Sequence, residues 1–117
     1  MSRREARFTT KVAEKLAEPY RTWLLLSVAT GVPRAAFEGL PLEAVGADGY
    51  LALPDGSRAR LSREALDVLV PYLRGWRAAH ASLHLFPKPS APDEPASAVM
   101  VKRALTARGQ KLLQEAE

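Results

Sequence analysis

The chain has no cysteine, only two histidines, and aromatic residues at 7% of its length. Lacking thiols, it has no disulfides, thiolate metal ligands or cysteine nucleophiles, and a cytoplasmic location is the simplest expectation. Its longest apolar run, Trp23 to Ala29, falls far short of the roughly 20 residues that a bilayer span needs. No basic-then-apolar leader opens the sequence, so no membrane partner is expected. Gly-x-Ser-x-Gly elbows, P-loops and dinucleotide-binding glycine patterns are also missing, which leaves no expected catalytic residue and no cofactor. His80 and His84 have the four-residue spacing of a metal pair only on a helix. The alternating Ser82-Leu83-His84-Leu85-Phe86 reads as a strand and no third ligand suggests itself, so no metal site is expected.

What is present describes one small folded unit. A length of 117 residues, 47% apolar and 26% charged, fits a single domain over residues 1–117. Thr9 or Thr10 is the expected cap of a first helix reaching Ala17, preceded by a basic arm over residues 1–8. Pro19 to Ala29 is apolar around most of its circumference, as a central buried helix requires, and Thr30-Gly31-Val32-Pro33 ends it. A short helix from Pro33 to Gly39 and a turn over Leu42 to Val45 follow. Tyr50–Leu53 and Ser57–Leu61, joined by Pro54-Asp55-Gly56, form an expected hairpin with Arg58 and Arg60 on one face.

Ser62 is expected to cap the longest helix, Arg63 to Ala79, with Leu66, Leu69, Val70, Leu73 and Trp76 inward and a bend at Pro71. Residues 82–86 read as a third strand beside the hairpin. The four prolines between Pro87 and Ala96 predict an exposed, semi-rigid loop. Ser97 starts a last helix with Val101 and Leu105 inward, Gly109 is its expected terminator, and residues 110–117 form a tail. The expected class is mainly α (α+β), with about five helices and a two- or three-stranded antiparallel sheet.

In order and local sequence, LLLSVATGVPRAAFEGLPLEAV, the hairpin, LSREALDVLVPYL, LFP and a closing helix resemble the N-terminal part of the tyrosine recombinase, or phage integrase, catalytic domain. The similarity spans roughly residues 8 to 110 and implies a DNA-associated fold whose hairpin faces the nucleic acid. The departures imply lost chemistry. Pro33 stands where the family has its first catalytic arginine, Arg34 comes one residue late, and Ala36 replaces the glutamate. The hairpin has no lysine, and Arg58 and Arg60 are its only bases. The family's His-x-x-Arg segment and tyrosine nucleophile lie beyond the matched region. The resemblance therefore implies a catalytically inactive, truncated relative.

The basic residues suggest where such a protein would touch DNA. Twelve of its seventeen cations are arginine and the net charge is +4, and the planar guanidinium suits phosphate. Arg58, Arg60 and Arg63 form one group, Lys102 and Arg103 a second, and Arg34 follows. The Arg3, Arg4, Arg7 and Lys11 arm and the Arg108–Lys111 stretch supply further charge. For each group the plain alternative is a solvated face; Arg63 has a ready i,i+4 partner in Asp67. Trp23 and Trp76 read as core. A partner other than DNA also fits the sequence: a protein-interaction module or small regulator docking on a larger nucleic-acid-processing protein, or a homodimer that doubles the contacts.

Overall fold

The computed structural model describes residues 2–116. Among them it shows an α+β unit of four α-helices and two separate two-stranded antiparallel sheets. Helix α1 is Arg3–Ala13. Its cap is Ser2, whose hydroxyl accepts the Glu5 N–H at 3.1 Å, in place of the expected Thr9 or Thr10. Ser2-Arg3-Arg4-Glu5 has the capping-box spacing, so the helix starts about two turns earlier. Thr9 is buried within it, and the Thr10 hydroxyl donates to the Ala6 carbonyl at 2.8 Å. The expected basic arm is thus helical from Arg3 onward, while Met1 lies outside the described residues.

Helix α2, Tyr20–Thr30, is the buried centre that its composition requires, with Trp23, Leu24 and Leu26 fully enclosed. The Glu18 carboxylate accepts from the Thr22 N–H and hydroxyl at its start, at 2.9 and 2.8 Å. Gly31, at φ 74°, closes its end by donating to Ser27 O at 2.9 Å; that left-handed turn is open to glycine at little cost. Short 3-10 turns follow at Arg34–Phe37 and Leu42–Ala44.

Strands β1, Tyr50–Ala52, and β2, Arg58–Arg60, pair in the register Tyr50↔Arg60, Leu51↔Ala59, Ala52↔Arg58. Residues 82–86 do not extend this hairpin. They run beside residues 40–42 through a Pro41↔His84 bridge, with Leu85 N–H donating to Leu40 O at 2.9 Å. Leu83 is exposed while the consecutive Leu85 and Phe86 are both buried, so alternation in this segment fixes neither the buried face nor the neighbour. The prolines from Pro87 onward also differ from expectation. Instead of an open loop they form a second hairpin, β3 Pro87–Lys88 with β4 Ala91–Pro95. In a two-stranded sheet every strand is an edge, where a residue without an N–H is tolerated.

Helix α3, Arg63–Arg74, is capped by Ser62 as expected, its hydroxyl accepting Ala65 N–H at 3.3 Å. It stops at Gly75 instead of reaching Ala79, and a 3-10 turn, Arg77–Ala79, follows. Its buried stripe is Ala65, Leu69 and Tyr72, leaving the expected core residue Leu66 at 38% exposure. Burying Tyr72, whose hydroxyl donates to Leu85 O at 2.7 Å, turns the helix by one position. The longest helix is α4, Ala98–Ala116. It takes up the expected tail as far as Ala116, Glu117 lying outside the described residues, and passes straight through Gly109. A Cβ at Gly109 would sit 3.1 Å from Phe8 Cζ, so the glycine permits close approach of α1 and α4 and ends nothing. Its first turn is held by Ser97 Oγ, which accepts Met100 N–H at 3.2 Å, and by Glu38 Oε1, which accepts Ala98 N–H at 2.7 Å.

The core gathers around Phe86. Its ring stacks on Trp23 at 5.2 Å, meets Phe37 edge-on at 6.0 Å and lies 5.5 Å from Tyr72. The Trp23 indole N–H donates to Arg34 O at 2.9 Å.

Because Gly109 leaves room for Phe8, Gly109→Leu is expected to lower stability by about 1–3 kcal/mol through overpacking. In a Phe8→Ala background the same change should cost markedly less. Urea denaturation followed by tryptophan fluorescence checks both; equal costs in the two backgrounds would rule out this packing as the cause.

Candidate nucleic-acid interface

Antiparallel pairing sorts the first hairpin into two faces. Leu51 is buried and Ala59 half-buried, so Tyr50, Ala52, Arg58 and Arg60 face solvent together. Tyr50 stands directly opposite Arg60, and the Arg58 guanidinium lies 4.7 Å from the Tyr50 ring centroid. At that distance the ring face attracts the cation electrostatically. Arg58 also reaches Asp48, with Nη1 3.3 Å from Oδ2, and both groups are largely exposed, so the pair contributes little stability. Arg60 and Arg63 are exposed and have no ion pair among the described residues. The alternative Arg63–Asp67 pair is not found among the described residues. Arg63 is the first residue of α3, and a cation there adds to the positive end of the helix instead of neutralising it; Glu64 is the neighbouring acid.

Tyr50 is not among the site residues expected from the sequence. At 37% exposure it is the aromatic member of this basic face. The strand period contained the signal: with Leu51 inward, Tyr50 must point the other way.

The other site residues lie elsewhere. Arg34 is half-buried in its 3-10 turn and lines a cleft of about 630 Å³ with Glu5, Thr9 and Ser27. Gly31, Val32 and Pro33 separate that cleft from a groove of about 600 Å³ reaching the hairpin turn at Pro54 and Asp55. Lys102 and Arg103 are exposed on α4, beside Val99 and Thr106. No hydrogen bond or ion pair among the described residues joins the hairpin arginines to Lys102, Arg103 or Arg34.

Arg77 carries a cation with an entirely internal role. It is 5% exposed. Its Nε donates to His84 O and its Nη1 to His80 O, each at 2.8 Å, and its Nη2 donates to Ser82 O. Three carbonyls in place of a carboxylate thus solvate the guanidinium and fix the course of residues 80–84. Nothing local in the sequence separates Arg77 from the surface arginines. The histidines turn to different partners, His80 Nδ1 lying 2.7 Å from Trp76 O and His84 Nε2 3.2 Å from Asp93 O. Trp76 is half-buried, stacked between Tyr72 and His80.

Two tyrosines are held in their neutral form. Burial pushes the Tyr72 phenol far above the usual tyrosine range, the nearby Glu18 carboxylate adds to the rise, and Arg77 opposes it. Burial also raises Tyr20, whose hydroxyl lies 3.9 Å from Met100 Sδ.

Set beside family models, curated proteins and solved structures, the chain has no match.

A phenol harder to ionise in the folded chain than in the unfolded one stabilises the fold fully below the unfolded value. That contribution is lost as pH rises towards the folded value. Tyr72 should therefore leave stability unaffected up to about pH 10 and lower it above, by about 1.4 kcal/mol per pH unit. Tyr72→Phe should flatten that alkaline decline while costing about 1–3 kcal/mol at neutral pH from the unpaired Leu85 carbonyl. Urea denaturation from neutral to alkaline pH checks this; an unchanged alkaline slope in the variant would contradict it.

Proposed function

We propose that this chain is a non-enzymatic DNA-binding protein that contacts backbone phosphates through the exposed hairpin face and the adjoining start of α3. The observation that carries the reading is the placement of Tyr50 between Arg58 and Arg60 on one solvent face, with Arg63 just beyond. Guanidinium groups supply bidentate, charge-assisted hydrogen bonds to phosphate oxygens. An aromatic ring among them offers a stacking surface for a base or sugar edge. Lys102, Arg103 and Arg34 are the remaining phosphate ligands in this reading. The resemblance to the tyrosine recombinase catalytic domain supports it through element order: a buried helix stopped at Thr30-Gly31, a hairpin, a Ser62-capped helix, Leu85-Phe86-Pro87 and a closing helix. Binding by so few cations is weak, salt-sensitive and largely indifferent to sequence.

The non-enzymatic part rests on the tyrosines. Strand cleavage of the recombinase kind needs an accessible phenol to attack phosphorus, cationic groups to balance the phosphorane, and an acid for the leaving oxygen. The Tyr72 hydroxyl is spent on Leu85 O and Tyr20 is raised by burial. Tyr50 is accessible, but the side chains sharing its strand face with charge are arginines, which serve poorly as proton donors or acceptors near neutral pH, and the nearby Asp48 carboxylate is engaged by the Tyr50 N–H and by Arg58.

A second reading, a protein-docking module, is favoured by Leu83. This side chain is 84% exposed on the segment that Arg77 pins, next to Leu42 at 37%. Leu83 and Leu42 together present exposed apolar surface, which suits contact with another protein.

Titrating a labelled duplex of mixed sequence over a range of salt concentrations tests the main reading. Replacing Arg58, Arg60 and Arg63 by Ala should reduce the log–log salt slope by about 0.9 for each phosphate that is no longer neutralised. An unchanged slope would remove the hairpin from the interface. Failure of the unaltered chain to bind at low salt, together with association that Leu83→Ser abolishes in sedimentation, would favour the docking module. A covalent tyrosine adduct with a nicked oligonucleotide would overturn the non-enzymatic assignment.

A further inference from the structure

The cations that the sequence divides between an N-terminal arm and a closing helix meet in the fold. Phe8 packs on Gly109, so α1 lies against α4. The Tyr20 hydroxyl beside Met100 brings the first turn of α4 next to the start of α2, and hence close to the end of α1. At about 100° per residue, Thr9 and Ala13 mark the buried side of α1, and Arg4, Arg7 and Lys11 fall on the opposite side, beyond Phe8. Lys15, on the turn that leaves the helix, continues the row. On α4, Lys102 shares the face of Gly109 two turns earlier, the side of that helix that meets α1. All five are exposed and none has an ion pair among the described residues. From Ala98 to Gln114, α4 has no acidic residue, and Glu14 is the carboxylate at the edge of the α1 row.

We infer that the outer lip of the α1–α4 seam is a second phosphate-binding track, occupied by the sugar–phosphate backbone of a nucleic acid. The inference rests on the nucleic-acid reading above and extends it to a surface that shares no residue with the hairpin. Charge complementarity selects the occupant. A row of flexible cations along a seam matches a polymer whose negative charge repeats at short intervals. Protein interfaces, in contrast, are depleted in lysine and centred on apolar anchors. Packing of α1 on α4 makes the track continuous, since each helix alone presents only part of it.

Lysine acetylation of the full chain, read by peptide mass spectrometry with and without a short mixed-sequence duplex at low salt, tests the track. Lys11, Lys15 and Lys102 should be modified several-fold more slowly with duplex present and recover at high salt. Lys88, paired with Glu94 at 3.8 Å, should be unaffected. In parallel, the Arg4→Gln, Lys11→Gln, Lys15→Gln variant should show a salt slope smaller by about 0.9 for each phosphate it no longer neutralises, independently of the hairpin variant. Unprotected lysines in a chain whose binding still depends on the hairpin arginines would overturn the track and leave the hairpin reading intact. Absence of any duplex binding would overturn both. Protection by polyglutamate but not by duplex would overturn the track in favour of an acidic protein partner.

Discussion

The structure depends on the enclosure of Phe86. Its ring meets Trp23 of α2, Phe37 of the turn after it and Tyr72 of α3, joining two separate stretches of the chain to a third. Truncating a buried aromatic side chain of this kind costs about 3–5 kcal/mol, a large part of the stability of a small domain. The polar groups carried inward with these rings are all satisfied. The Trp23 N–H finds the Arg34 carbonyl, the Tyr72 hydroxyl finds Leu85 O, and the Arg77 guanidinium takes three carbonyls. No buried side-chain nitrogen or oxygen among the described residues lacks a partner. The aromatic cluster and its hydrogen bonds thus hold the segment around Leu85 and Phe86 against α3 and the turn at Arg34–Phe37.

That enclosure decides which charges can do anything at the surface. Arg77 is consumed by the interior, and Lys88 and Arg58 each have a carboxylate neighbour. Of the remaining cations, Arg60 lies on the outward face of the first hairpin, Arg63 at the start of α3, and Arg4, Arg7, Lys11, Lys15 and Lys102 on α1, the turn after it and α4, while Arg21, Arg34 and Arg74 lie elsewhere. Isolated exposed cations contribute little to folding. Their free energy is available to an anion that brings several phosphates at once, and binding of that kind weakens steeply with added salt.

Much of this was legible in the sequence, and the failures have physical causes. The all-round apolar composition of α2, its Gly31 stop, the Pro54-Asp55-Gly56 hairpin and the Ser62 cap are local signals, and local rules recover them. Thr9 and Thr10 have cap propensity, but the capping-box spacing of Ser2 and Glu5 sets the start of α1. Gly109 reads as a terminator by propensity, and only the neighbouring Phe8, about a hundred positions away, explains a glycine inside a helix. The proline-rich hairpin and the pairing of residues 82–86 with 40–42 depend on tertiary partners that periodicity cannot name. Of the site residues, Arg58 and Arg60 lie on one face as strand alternation requires. The same alternation also exposes Tyr50, and that half of the inference was missed. Arg34 and Arg77 have environments set by long-range packing and were beyond local reasoning.

The central claim is that nucleic-acid phosphates engage the outward basic faces of this fold. Backbone amide and arginine side-chain NMR of the labelled chain, titrated with duplex at low salt, tests it most directly. The account predicts shifts at Tyr50, Arg58, Arg60 and Arg63 that reverse with salt, while the Trp23 indole signal stays in place. Undisturbed hairpin signals, or shifts centred on Leu42 and Leu83, would contradict it.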